Sequence, residues 1–195
     1  MPADPAADRA DLQALRSGDA TVFERIVARW EQPLCAYAWR YLRNGEDARE
    51  VALETFVRLH EHRARLRADT NLSAWLYTTL TNLCHNRHRW WRRHPSVSLD
   101  ALPAEGDGAA LGDGAPPPDA ASEQREALAA LDAAIAALPH ELRATLLLHH
   151  FEQLSYREIA GIVGCSERGV ETRLYRARQA LRSALSAVGP FAAAR

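Results

Sequence analysis

LSYREIAGIVGCSERGVETRLYRAR, residues 154–178, reads as two helices separated by only a short turn. Ser155 and Glu158 form a capping-box pattern, a hydroxyl at the N-cap and a carboxylate three residues on. The helix they open carries Ile159, Ala160, Ile162 and Val163 and stops at Gly164. Glycine adopts the left-handed backbone that such a stop needs. Ser166 offers a second N-cap, and a new helix runs onward past Leu185. Two helices joined by a turn of about three residues with a glycine form the bihelical unit that enters DNA grooves.

The second of these helices has two faces. Val170, Leu174, Ala177, Leu181 and Leu185 fall on one side of a 3.6-residue wheel and are expected to pack inward. Arg168, Thr172, Tyr175, Arg176 and Gln179 fall opposite, with Glu171 and Arg182 at one margin and Arg173 at the other. A major groove admits such a helix: Arg can read guanine, Glu can accept from cytosine, and other basic groups can hold phosphates. A solvated charged face on a bundle helix is the plainer alternative.

Working outward, Leu128, Leu131, Ile135 and Leu138 form a helical stripe ending at Pro139, and another helix runs through Leu142, Leu146 and Leu147 to Phe151. This second block spans residues 123–188. Before it, residues 95–122 lose all hydrophobic period and mix Pro103, Pro116, Pro117 and Pro118 with Gly and Ala, as a linker does. Its charges up to Asp119 are acidic: Asp100, Glu105, Asp107, Asp113 and Asp119.

The first block, residues 11–94, is helical too, with residues 1–10 read as disordered. Phe23, Ile26, Val27 and Trp30 repeat at helical spacing, and Pro33 is expected to restart the chain. Leu34, Tyr37, Ala38, Tyr41 and Leu42 make a second stripe, closed by Asn44-Gly45. A third helix, from Glu46 to about Arg65, carries Val51, Leu53, Phe56, Val57 and Leu59, with Asp47, Glu50, Glu54 and Arg58 along one charged stripe. A fourth begins at the N-cap Asn71 and places Trp75, Thr78, Asn82, Asn86, Arg89 and Arg93 on one face. Its end, Arg87 to Arg93, interleaves basic side chains with Trp90 and Trp91. Guanidinium groups hold phosphates while flat rings stack on unpaired bases, so this face suits single-stranded or melting DNA. Equally, both tryptophans could be core anchors beneath ordinary surface arginines.

The fold class expected is therefore all-α: two small helical domains joined by an acidic linker, the C-terminal one a helix-turn-helix. The length, 195 residues, has room for both. All 24 basic residues other than histidine are arginine, and the formal net charge is −1, which alone argues neither for nor against nucleic acid. No apolar run is long enough to span a membrane and the N-terminus is not a secretory signal. Cys35, Cys84 and Cys165 make no CxxC pair, which fits a reducing cytoplasm and thiols acting as small hydrophobes. The pairs His60/His62, His85/His88 and His149/His150 lack a completing Cys or carboxylate, so no metal is expected, nor any cofactor. No phosphate-binding glycine loop or nucleophile–base arrangement argues for catalysis.

An acidic helix, a Trp-bearing basic helix, a linker and a C-terminal helix-turn-helix, in that order, resemble the extracytoplasmic-function sigma factors of the sigma-70 family. Asp47 to Arg58 looks like the family's polymerase-docking helix. Ala74-Trp75-Leu76, with Asn82-Leu83 and the arginine cluster, looks like its −10 helix. Leu154 to Ala160, with Gly164, Val170 and Arg173 to Arg178, looks like its −35 reader. The resemblance implies that Asp47, Glu50, Glu54 and Arg58 face the clamp helices of the largest subunit of core RNA polymerase. It implies that Trp75, Asn82, Asn86, Arg89, Trp90 and Arg93 capture the melted −10 strand. Arg168, Glu171, Thr172, Arg173, Tyr175 and Arg176 would read the −35 promoter DNA while the second block also meets the polymerase flap. The acidic linker would thread the product channel, and an anti-sigma factor is a further candidate partner. The chain departs from the family pattern at Asn86, where Asp is common, and at Glu171, where Lys is common. A stand-alone helix-turn-helix regulator is the alternative, although it leaves the Trp/Arg helix and the acidic stripe without a role. A helical partner protein with no nucleic-acid role is a second rival.

Overall fold

The computed structural model describes residues 5–94 and 118–186, and among them every regular element is a helix. The first module holds α1 (Pro5–Arg16), α2 (Ala20–Leu42), α3 (Gly45–His62), a 3₁₀ turn (Arg63–Arg65) and α4 (Leu72–Arg93). The second holds α5 (Pro118–Ala137), α6 (His140–His150), α7 (Tyr156–Val163) and α8 (Glu167–Leu185). Most of the 95–122 linker lies outside the described residues.

Helix α2 is one element of 23 residues, with Pro33 inside it rather than at a break. An internal proline costs a helix about 3 kcal/mol. Here Val22, Ile26, Trp30, Leu34, Tyr37, Ala38 and Tyr41 form one unbroken buried stripe across it, and burying each large side chain is worth roughly 1.5–3 kcal/mol. The stripe outweighs the break. The stop is also displaced. Helix α2 ends at Leu42 with Arg43 as its left-handed C-cap, and Asn44 instead starts α3, its side chain accepting from the Asp47 N–H. The guanidinium of Arg43 lies over the Trp39 ring, 4.0 Å from the centroid, and pairs with Asp132, which holds a non-glycine residue in that backbone region.

Residues 5–10 belong to the fold, contrary to the disordered N-terminus read from composition. Asp8 is buried and accepts from Trp30 Nε1 (3.2 Å) and Arg29 (2.7 Å), while Asp11 accepts from Arg25 (2.9 Å) and Arg29. Leu12 and Leu15 complete the inner face of α1. Helix α5 likewise begins at Pro118, ahead of residue 123, because proline at a first helical position leaves no hydrogen bond unmade.

The helix-turn-helix forms as its caps dictate. Ser155 and Glu158 make the full capping box, Gly164 takes the left-handed C-cap position (φ 64°, ψ 47°), and Ser166 accepts from the Gly169 N–H. Ile159, Ala160 and Ile162 of α7 meet Val170, Leu174 and Ala177 of α8 in the core. The modules also touch each other: α2 meets α5 and α6, and α4 meets α7.

Candidate nucleic-acid interface

On α8 the outward side is polar and open. Arg168, Glu171, Thr172, Tyr175 and Arg176 are all exposed, with Tyr175 at 62% the most exposed aromatic of the described residues. The Thr172 hydroxyl donates to the Arg168 carbonyl (2.9 Å) within the helix. Gln179 donates to the Tyr175 oxygen (3.1 Å) and steadies that ring. Arg173 differs from the rest. It is half-buried, pairs with Glu141 of α6 at 3.2 Å and reaches the Val163 carbonyl at 3.5 Å, so it fixes α8 against α6 and α7 at the edge of the face.

On α4 the structure divides the two adjacent tryptophans. Trp91 packs against the core, whereas Trp90 is 39% exposed and stacks on His94, centroids 4.8 Å apart. Asn82, Asn86, Arg89 and Arg93 are exposed beside it, and Trp75 is half-buried. Trp75 and Asn82 line a shallow groove with Arg58, His62, Arg65 and Leu66, which places Arg58 next to the candidate −10 face. His62, Arg65 and Leu66 are not among the residues expected at the −10 face, although the run of arginines ahead of Asn71 marks that connection as basic.

A second groove joins α3 to α4 through Glu50, Val51, Glu54, Leu83, Asn86, Arg87 and Trp90. Arg87 spans it, donating to Asp47 and pairing with Glu50 at 2.6 Å, while Arg58 pairs with Glu54 at 2.9 Å. Burial pushes the Asp47 carboxyl up despite Arg87, whereas the Arg87 hydrogen bond holds Glu50 below the usual carboxylate range. The acidic stripe is thus braced internally and shares an edge with the α4 face. Beside it, Leu53 (65%) and Val57 (43%) are exposed, where the sequence reading had placed them among the apolar residues of the third helix. Two large apolar side chains open to solvent next to a charged stripe form a surface suited to a protein partner.

The three thiols are unpaired, with Cys84 buried and Cys35 and Cys165 half-buried. Among the described residues no group of three or more His, Cys, Asp or Glu side chains is arranged so that it could hold a metal ion, and no helix is long and apolar enough to cross a membrane.

Comparison with known proteins decides between the readings. Residues 26–94 match Sigma-70 region 2, and residues 128–181 match Sigma-70, region 4. The RNA polymerase sigma-H factor of Pseudomonas aeruginosa is 31% identical over 182 residues, covering 91% of this chain and 93% of that protein. The chain belongs to the sigma-70 family. Within that family it is similar to the ECF RNA polymerase sigma-E factor of Escherichia coli K12, 30% identical over 177 residues and covering 89% of this chain and 92% of that one. The same helical fold also appears in the structure of CnrH in complex with the cytosolic domain of CnrY (TM-score 0.70, 23% identity, 94% of this chain and 99% of that one). The sigma factor RpoE in complex with the anti-sigma factor NepR from Bartonella quintana gives a TM-score of 0.61 at 22% identity, over 86% of this chain and 98% of that one. A stand-alone regulator would account for region 4 but not for region 2. This sigma factor carries both, and with them the family's partners, core RNA polymerase and promoter DNA.

Proposed function

We propose that this sigma factor divides promoter engagement between the two exposed faces described above, without catalysing a reaction itself. Helix α3 docks on the clamp helices of the polymerase through Asp47, Glu50, Glu54 and Arg58, with Leu53 and Val57 supplying the apolar centre of the contact. Trp75, Asn82, Asn86, Arg89, Trp90 and Arg93 on α4 hold the melted −10 strand, the rings stacking on bases and the guanidinium groups on phosphates. Arg168, Glu171, Thr172, Tyr175 and Arg176 enter the −35 major groove, and Arg173 sets the angle of that helix from its margin. The second module also meets the polymerase flap. The factor works where bacterial polymerase works, in the cytoplasm, and the similar RpoE solved with the anti-sigma factor NepR supports an anti-sigma factor as a further partner.

The observation that carries this reading is the pairing, in one chain, of an open aromatic–arginine face on α4 with an open polar face on a capped recognition helix. The test is co-elution with bacterial core polymerase followed by transcription from a random-promoter library. Stable association and initiation at sites sharing two spaced elements are expected. Tight duplex binding by the free chain with no core association would overturn the assignment.

A further inference from the structure

The contacts between the modules are chemically unusual. His85 of α4 and His140 of α6 stack at 3.8 Å between centroids, 29° from parallel, so two rings that can each carry a proton lie face to face. The Tyr41 hydroxyl of α2 pairs with His140 Nδ1. Arg143, buried, donates to the Tyr41 carbonyl (3.2 Å) and the Leu138 carbonyl (3.1 Å), and lies over the Tyr41 ring at 5.0 Å. His85 Nδ1 is buried with no hydrogen-bond partner. A second polar contact nearby joins Tyr77 and Arg40 of the first module to Glu152 of the second.

Closed in this way, the chain cannot do its job on a promoter. A compact chain of 195 residues has a radius of gyration of about 16 Å, and so a diameter on the order of 45 Å. Elements centred at −10 and −35 are separated by roughly 25 base pairs, about 85 Å of duplex at 3.4 Å per pair. The 23 residues from 95 to 117 can bridge at most roughly 80 Å, so the covalent connection permits separation once the contacts are broken.

We propose that the His85–His140 stack, beside Arg143, is a proton-operated latch that holds the two modules of the free sigma factor together and releases them on acidification. This rests on the sigma reading for its purpose, though not for its physics. Protonating either ring places a cation against the other ring and against Arg143. The groups acting on His140 come from α2 (Tyr41), α4 (His85 and His88), α6 itself (Arg143) and α8 (Arg173), and His85 also faces Arg89. Glu141 and Asp132, the carboxylates of α6 and α5 at this junction, are paired with Arg173 and Arg43. Burial, then the neighbouring cations and rings, pushes His140 from its ordinary 6.5 down to about 4, and burial and arginines also lower His85 and His88. A group whose pKa is lowered in the closed form favours closure fully above about 6.5 and loses that contribution as pH falls towards 4. The closed-to-open ratio then falls by up to roughly tenfold per pH unit for each proton taken up. Glu152 has the opposite sign, because burial raises its pKa and acid favours its docked form.

The test is small-angle scattering on the full chain from pH 7.5 to 4.5, with Glu152→Gln as a second background free of the opposing carboxylate. The radius of gyration should rise by a fifth or more while helical circular dichroism is retained, with the midpoint tracking the His140 titration seen by NMR. In His85→Phe/His140→Phe the radius should become independent of pH over the same range. A constant radius in the parent, or full acid expansion in the double variant, overturns the latch. Transcription by the wild-type factor with core polymerase at pH 7.5 is scored separately, so failure of the sigma reading appears there and leaves the scattering result standing.

Discussion

Replacing Leu174 by Ala should unfold the second module and leave the first one folded. Leu174 is 1% exposed and sits on the inner side of α8, against the buried residues of α6 and α7. The substitution removes three carbons, worth about 2.4 kcal/mol at ~0.8 kcal/mol per buried group. The cavity left behind raises the total towards the 2.7–5 kcal/mol range seen for buried Leu→Ala changes. A core in a module of fewer than about 70–80 residues rarely supplies more than roughly 3–5 kcal/mol, so the loss consumes most of what α5–α8 possess. Helical ellipticity at 25 °C should fall by somewhat under half, promoter-dependent transcription should disappear, and co-elution with core through α3 should persist in weakened form. Leu53→Ala serves as the control. It is the same chemical change at a 65%-exposed position, and surface changes stay within about 0.5 kcal/mol. A Leu174→Ala protein with full helicity and an unmoved urea midpoint would refute the reasoning.

Ser155→Ala removes the N-cap of α7 and should cost about 1 kcal/mol, read as a lower urea midpoint with an unchanged slope. Arg176→Ala should weaken promoter binding across sequences and reduce the slope of log affinity against log salt by about 1, whereas Glu171→Lys should change which −35 bases are preferred, scored by library selection. Leu53→Asp should abolish core co-elution without lowering the melting temperature, because that side chain is open to solvent. Arg173→Ala should depress promoter use while leaving core binding intact, and Glu141→Gln, which frees Arg173, should produce a milder form of the same defect in transcription assays.

What the sequence disclosed followed from how local the physics was. The capping box at Ser155, the stop at Gly164 and the N-cap at Asn71 each depend on residues within one turn of each other, and all three stand where their spacing puts them. Pro33 and Asn44-Gly45 misled for the complementary reason. A proline or glycine states a local preference, and the buried stripe from Val22 to Tyr41 overrides the first, while Arg43 has partners on Trp39 and Asp132 that override the second. The N-terminus shows the same competition. Ala- and Asp-rich residues look solvated, and only the fold reveals that Asp8 lies under Trp30 and Arg29.

The candidate site was legible as residue types but not as an arrangement. A helical wheel sorts Arg168, Thr172, Tyr175 and Arg176 onto one side, and it also puts Arg173 at the margin, but it cannot show that Glu141 from another helix already occupies that arginine. The same limit applies to α3 and α4. Asp47 and Glu50 read as free carboxylates awaiting a partner, yet Arg87 bridges both from 37 to 40 residues away in sequence, the very cluster that reads as DNA-binding. This changes how the surfaces should be understood. An acidic stripe neutralised by its own neighbour offers less free charge than its composition suggests, and under the proposed docking this shifts weight onto the exposed Leu53 and Val57. It also ties α3 and α4 into one braced unit, with Asn86 and Trp90 lining the groove that the two helices share.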